Sequence, residues 1–243
     1  MTGEYAKQAL LESYPYKIEM HAHSFPASGC SEVSPEHLVK IYAELGYSSL
    51  VLTNHFIYEN CLLEHYEKNG IELWYNEYER AKLYGKKCGL NVILGAEIRF
   101  TENCNDYLIY GLNKKMLEDI YEYLPFGVEN FRKSYKMPNS IFMQAHPFRN
   151  NCKVVSSALL DGVETLNLHQ NHNSRNAIAT EYAYEHNLQI VSAGTDFHHP
   201  DKKHEGAAAL RSKEEIIDSF QLAKILKKRD YLLEIGGSAV VLP

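Results

Sequence analysis

Two histidines two residues apart, His21 and His23, stand where the apolar β-rich run Tyr16–Met20 ends. Side chains at such spacing on an extended strand point the same way, so both imidazoles can reach one ion. Alone the pair proves little, since 12 His in 243 residues give about 0.6 H-x-H pairs by chance. The same address recurs along the chain. His55 ends Leu52-Thr53-Asn54-His55, Glu97 ends Leu94-Gly95-Ala96-Glu97, and His146 ends Gln144-Ala145-His146. Asp196 and His198 close Gly194-Thr195-Asp196-Phe197-His198, again two apart. Any one of these histidines could be a hydrogen-bonded or exposed residue. Together at strand ends they point to a shared divalent-metal site, because imidazole and carboxylate are the donors such ions take.

Short apolar runs alternating with amphipathic segments supply those strand ends. The strands expected are 16–20, 49–53, 91–95, 107–110, 141–144, 163–166 and 189–193. Ser34-Pro35 reads as an N-cap with proline at the first helical position. Leu38, Ile41, Tyr42 and Leu45 follow at helical spacing before Gly46 stops the helix. Further helices are expected within 59–88, with a break at Asn69-Gly70, and over 114–123, 129–135, 175–186 and 213–228. About seven strands alternating with helices predict a mainly parallel α/β sheet, which builds its sites at the C-terminal strand ends.

In order and spacing, the H-A-H, T-N-H, G-A-E, A-H-P and T-D-F-H motifs resemble the polymerase and histidinol phosphatase (PHP) domain hydrolases over residues 16–200. That resemblance implies a distorted (β/α)7 barrel, phosphoester hydrolysis and two to three divalent ions, whether zinc, manganese or iron. It implies that His21, His23, Glu97 and Asp196 share a first ion, that Glu97 bridges to a second held by His146, and that His55 and His198 hold a third. Three positions depart from the pattern. Ser28-Gly29-Cys30 stands where the family often has S-D-G or a histidine, so the third ion is expected to be weak. Asn54 replaces an aspartate that would support the ligands from behind, putting an amide where the family has a carboxylate. Asn105-Asp106-Tyr107 stands where another histidine usually precedes an apolar strand, which makes Asp106 a candidate ligand.

A metal pair would provide a nucleophile at neutral pH and neutralise phosphoryl oxygens. Glu97 would fix the pair, and Asp196 and His198 could double as proton carriers. Arginine forks suit phosphate. Arg99 and Arg149 lie just after Glu97 and His146, and Arg175 opens a helix whose N-terminus would also attract an anion. His172, with His169, could touch substrate. His37, His65 and His186 read as exposed helical residues, and His199 and His204 as loop residues.

Bulk properties narrow the partners. With 25 basic and 31 acidic residues the formal charge is -6, which argues against nucleic acid held by bulk electrostatics. Five cysteines without C-x-x-C spacing read as reduced thiols of a cytoplasmic protein. No run approaches the ~20 apolar residues of a membrane span, and residues 1–16 lack an apolar leader core. The expectation is one domain over residues 1–243, acting on a small phosphomonoester of histidinol-phosphate type. The rivals are a PHP-type nuclease or phosphodiesterase, a non-catalytic metal-binding module and a C–N hydrolase.

Overall fold

The computed structural model describes residues 3–58, 69–201, 204–236 and 239–241. Helix α1 (Gly3–Ser13) leads into β1 (Tyr16–Ala22), and α2 (Pro35–Glu44) into β2 (Ser49–Leu52) and the short β3 (His55–Ile57). The cap of α2 forms as its sequence dictates: the Ser34 side chain accepts from the His37 backbone N–H, Pro35 opens the helix, and Gly46 follows it at φ 73°. Helix α3 (Gly70–Cys88) precedes β4 (Asn91–Arg99) and β5 (Asp106–Tyr110). After α4 (Lys114–Tyr123) and α5 (Gly127–Ser134) come β6 (Ile141–Gln144), β7 (Gly162–Asn167), α6 (Asn176–Glu185) and β8 (Val191–Gly194). The chain continues through β9 (Ala208–Ser212), α7 (Ser219–Lys228), β10 (Tyr231–Ile235) and β11 (Ala239–Val241). No helix among the described residues is long and apolar enough to cross a membrane.

The strands form one curled sheet in the order β11-β10-β9-β1-β2-β4-β5-β6-β7-β8, with β3 beside β4. The curl brings the far end back to β1. An isolated parallel bridge joins Ala22 to Phe197, with the His23 N–H donating to the Phe197 carbonyl (3.0 Å) and the Phe197 N–H to the His21 carbonyl (3.3 Å). Only Gly194 permits this approach, since a Cβ there would collide with the His21 Cβ. The result is the distorted α/β barrel expected from the sequence.

Alternation along the strands separates two cores, as the two-residue period of a strand requires. Val51, Ile93, Leu108, Ile141 and Met143 join Leu222 and Leu226 of α7 in one cluster. Leu50, Leu52, Val92, Leu94 and Phe142 face Leu38, Tyr42, Trp74 and Leu117 in the other. Trp74 is fully buried, and its indole N–H donates to the His55 carbonyl at 2.9 Å, which ties α3 to the start of β3.

Four expectations need correction. The sheet is not mainly parallel: among the described strands five pairs are parallel and five antiparallel, and β5 runs antiparallel to both β4 and β6 because a short turn after β4 returns the chain as a hairpin instead of a helical crossover. The last helix starts at Ser219, not Lys213, because the Asp218 carboxylate caps it by accepting from the Phe220 and Gln221 N–H groups at 2.8 Å. The strand expected from Gln189 starts at Val191. Strands β9, β10 and β11 were not expected at all, and they extend the sheet antiparallel beyond β1. His65 and Cys61, and the start of the helical stretch expected from Glu59, lie outside the described residues.

Candidate metal centre

The strand-end residues converge. His21 and His23 leave β1, Glu97 lies near the end of β4, His55 opens β3 in register with Glu97, and His146 follows β6. Asp196 and His198 follow β8. Asp106 begins a strand instead of ending one, yet the reversal of β5 puts that beginning, paired with Arg99, on the same rim.

Around the centre, Nε2 of His21 lies 3.3 Å from Glu97 Oε1 and 3.4 Å from Asp196 Oδ1. Nε2 of His23 lies 3.5 Å from Glu97 Oε2 and 3.3 Å from the same Asp196 Oδ1. Four of these atoms (both Nε2, Glu97 Oε2 and Asp196 Oδ1) are buried without a hydrogen-bond partner. Leaving that many buried polar atoms unmade is costly. Tetrahedral coordination with bonds of about 2.0–2.2 Å has edges of about 3.3–3.6 Å, so the donor set fits a small divalent ion. Around it, three further groupings arise: His21 with His146 and Asp196, Glu97 with Asp106 and His146, and His23 with His55 and His198.

The supporting bonds set which atom of each ligand faces inward. His21 Nδ1 meets Glu164 Oε1 at 2.9 Å, and His23 Nδ1 meets the Ser28 hydroxyl at 3.1 Å, leaving both Nε2 atoms for the centre. His198 Nδ1 donates to the Asp196 carbonyl at 2.9 Å, which frees its Nε2. Asn54 serves as an amide support: its Oδ1 accepts from the Ser24 N–H (2.7 Å) and the Ser28 hydroxyl (3.1 Å), so it reaches His23 through Ser28. His146 and Asp196 adopt left-handed backbone conformations, at φ 28° and 51°. Such conformations cost non-glycine residues of order 1–3 kcal/mol and cluster at functional sites. Oε2 of Glu164 holds the first of them by accepting from the His146 N–H at 2.9 Å.

The electrostatics follow from burial and proximity. Burial works against charge on every group here. For Glu97 it is outweighed by His21 and His55, and for Asp196 by His21, His23, His198 and Arg149, so both carboxyls lie well below their usual range. His21 is held well above its usual value: desolvation opposes its charge, but Asp196, Glu164 and Glu97 surround it. His23 goes the other way, lowered by desolvation and by the neighbouring His198 and His55. His55 and His146 are pushed up to about 10 against the same desolvation, His55 chiefly by Glu97 and His146 by Cys152 and Glu97.

Of the expected substrate residues, Arg149 is the most deeply placed. Its guanidinium donates to Asp196 Oδ2 at 2.5 Å and to Asn167 Oδ1 at 2.8 Å, while its Nε is buried without a partner. Arg99, expected to hold phosphate, and Asp106, expected to hold a metal, bind each other through two hydrogen bonds of 2.7 and 2.8 Å, and Asp106 stays grouped with Glu97 and His146. Both still line the cleft of about 300 Å3 over the centre, as do His169 and the exposed His172. Arg175 does not. It is exposed, at φ 48° before α6, and its side chain donates to the Phe148 carbonyl and the Asn150 amide oxygen. His37 and His186 are exposed as expected.

Sequence reading missed Glu164, Asn167, Ser28 and Cys30 as participants. Glu164 carried a signal, an acid inside an otherwise apolar strand run, where a buried charge needs partners. The thiol of Cys30 interacts with both His198 and His55. Desolvation pushes it up, but the neighbouring His198 and His55 pull it down to about 6.

A curled α/β barrel whose rim gathers five imidazoles and three carboxylates defines a class of its own. The chain belongs to the PHP domain family, whose model matches residues 19–238. Among solved structures it is similar to a two-domain protein from Bacteroides vulgatus containing an inferred PHP-like metal-dependent phosphoesterase, with a TM-score of 0.56 and 16% identity over 91% of this chain. The chain spans 65% of that protein's length. Two other similar structures are an inferred metal-dependent phosphoesterase from Bifidobacterium adolescentis (TM-score 0.49, 15% identity, 87% of this chain and 96% of that one) and an amidohydrolase from Chromobacterium violaceum (0.44, 13%, 76% and 88%). Comparison with curated proteins finds no match.

Proposed function

We propose that this chain is a cytoplasmic, metal-dependent phosphatase acting on a small phosphomonoester, histidinol phosphate or a related compound. The observation that supports the reading is that Nε2 of His21, Nε2 of His23 and Asp196 Oδ1, all buried without a hydrogen-bond partner, approach one another and the Glu97 carboxylate at 3.3–3.5 Å. These residues would hold a first ion, Glu97 with His146 and Asp106 a second, and His55 with His198 a third. Zinc, manganese and iron all suit imidazole and carboxylate donors. When bound, such ions supply Lewis acidity, lowering the pKa of a water from 15.7 to about 7 and neutralising phosphoryl charge.

The chain's own groups bind and orient the substrate. A cleft of about 300 Å3 suits a small molecule. The buried Nε–H of Arg149 lacks an acceptor, and a phosphoryl oxygen would satisfy it with a charge-assisted hydrogen bond. His169 is driven down to about 3, chiefly by desolvation, with His198, Arg149 and His172 adding to the effect. It therefore stays neutral, and since its Nδ1 accepts from the Asn171 N–H at 3.1 Å, its Nε2 carries the proton and can donate to an oxygen anion. Asp196 and His198 are the candidates for moving a proton to the leaving oxygen.

The test is a panel of phosphomonoesters, a bis(aryl) phosphate and an N-acyl amino acid, each assayed with zinc, manganese or iron. Monoesters should turn over fastest, and Glu97→Gln should abolish both turnover and metal content. Preference for the diester or the amide overturns the substrate class. Less than one ion per chain after reconstitution overturns the metal centre itself.

A further inference from the structure

The metal-ligand candidates and Arg149 come from different segments of the chain, and one amide touches both sets. Strand β7 is irregular: its pairing with β8 runs from Glu164–Ser192 to Leu166–Ala193, so Thr165 is an extra residue in the ladder. On an unbroken strand, residues three apart face opposite sides of the sheet. A bulge reverses that parity. The Asn167 side chain therefore comes round to the Glu164 side, where its Nδ2 donates to Glu164 Oε2 at 3.0 Å. The Asn167 backbone is pinned as well. At the start of α6, the Asn176 side chain accepts from its N–H and donates to its carbonyl, both at 3.1 Å.

Asn167 is buried, and each polar atom of its side chain is engaged. The second Nδ2 hydrogen goes to Asp196 Oδ2 at 3.1 Å. Oδ1 accepts from Arg149 Nη2 at 2.8 Å, from the Ser174 hydroxyl at 2.9 Å and from the His169 N–H at 3.1 Å. Only an amide in this orientation satisfies the surroundings. Turned over, its oxygen would meet two carboxylates and its hydrogens a guanidinium. An ionised aspartate would offer Glu164 and Asp196 no donor, and leucine would offer nothing to either side. With Asn167 and Arg149 both donating to Asp196 Oδ2, Oδ1 is the oxygen that faces His21 and His23.

We infer that Asn167 is a positioning residue that couples the metal centre to the anion clamp. It holds Asp196 and Glu164 with its nitrogen, and Arg149 and the His169 backbone with its oxygen. The inference rests on the proposed metal centre and on Arg149 as a phosphoryl-binding group. Removing the amide should weaken two binding events at once, and the loss of phosphate binding should run mainly through Arg149.

The test reads binding, not turnover. Asn167→Ala and the milder Asn167→Ser are compared with wild type, and metal-free melts establish whether each is folded. Zinc affinity, measured by chelator competition, should fall about 10- to 100-fold, as when an outer-shell partner is lost. At saturating zinc, calorimetry should show inorganic phosphate binding weakened on the order of 10-fold. In an Arg149→Ala background the same Asn167→Ala change should weaken phosphate by only about 2-fold, because residues in one hydrogen-bond network are not additive. Additive losses, or a loss confined to zinc or to phosphate alone, would overturn the coupling and leave the metal centre standing. Unfolding of both variants would make Asn167 a residue of the fold and also overturn the role. Wild type that binds zinc but not phosphate removes the anion clamp, and wild type that binds no zinc removes the metal reading; either result takes the inference with it.

Discussion

Glu164 Oε1 accepts from His21 Nδ1 at 2.9 Å while Oε2 of the same carboxylate accepts from the His146 backbone N–H at 2.9 Å. With Nδ1 held by this carboxylate, Nε2 is the atom of His21 that faces Glu97 and Asp196, and an ion binding there displaces its proton. The second bond fixes His146 in its left-handed conformation. One fully buried acid on β7 therefore orients two ligands from two other strands. Asn167 Nδ2 completes it at 3.0 Å.

Glu164→Gln should accordingly weaken the first ion about 10- to 100-fold, the usual cost of losing an outer-shell partner of a ligating histidine. Chelator competition measures this directly. Unchanged metal affinity would mean that His21 is oriented by something other than Glu164.

Arg149 has a double attachment that changes what its removal should do. Its bond to Asp196 makes it a support of the metal centre as well as a candidate anion clamp. Arg149→Ala should lower kcat/KM about 10- to 150-fold, the loss of one charged hydrogen bond of roughly 1.5–3 kcal/mol. It should also reduce metal affinity. Arg149→Lys should restore part of the metal affinity through its charge but little of the catalysis, because an ammonium cannot form the fork. Normal kcat/KM in Arg149→Ala would remove it from substrate binding.

The pH behaviour has a definite sign. Metal-free His55 and His146 titrate at about 10 rather than near 6.5. Both therefore carry protons at neutral pH, which an incoming ion must displace. Metal affinity should rise as pH goes from about 6.5 toward about 10, with proton release visible by calorimetry in buffers of different ionisation enthalpy. The stability of the metal-free protein should run the opposite way. A raised folded-state pKa stabilises fully below about 6.5, and that contribution is lost as pH rises through about 10. Thermal melts in chelator across this window test it, and a metal affinity flat in pH would contradict the charge assignment.

Gly194→Ala tests the barrel's closure. The added methyl would strike His21 Cβ and approach Glu164 Oε1 at 3.2 Å. Overpacking of this kind costs about 1–3 kcal/mol, and here it would displace a ligand too. Both the melting temperature and metal affinity should fall, whereas an unaltered melt would show that β8 can shift away from β1 without penalty.

Most of the donor set was legible because parallel strands end on one rim, so a histidine or carboxylate at each strand end is informative before any coordinates exist. Asp106 was harder to place. Its role depends on the direction of β5, and nothing in Asn105-Asp106-Tyr107 marks a hairpin over a crossover. Its pairing with Arg99 was out of reach for the same reason, since the two sit opposite each other only in antiparallel register. Glu164 was hidden by treating its run as a strand defined by apolar content. The capping carboxylate of Asp218 was readable in principle, but the residues before it lack helix breakers. Strands β9–β11 owe their form to long-range pairing with β1 and with one another, information that local pattern does not contain.

The seam of the barrel is fastened differently from the rest of the sheet. Neighbouring strands elsewhere share ladders, but among the described residues β1 meets the chain beyond β8 through one backbone bridge, Ala22 to Phe197, and through the Glu19 carboxylate, which accepts from the Thr195 N–H and hydroxyl at 2.9 Å. The donors of the centre flank that bridge: His21 and His23 on one side, Asp196 and His198 on the other. An ion gripping both sides would act as a clasp between segments far apart in sequence, and cross-links that close long loops constrain the unfolded chain most. Stripping the metal should then do more than silence chemistry. It should let the cylinder part along this line, and proteolytic nicking would appear first in residues 24–33 and 204–207 while the α2, α3 and β4 region stays closed.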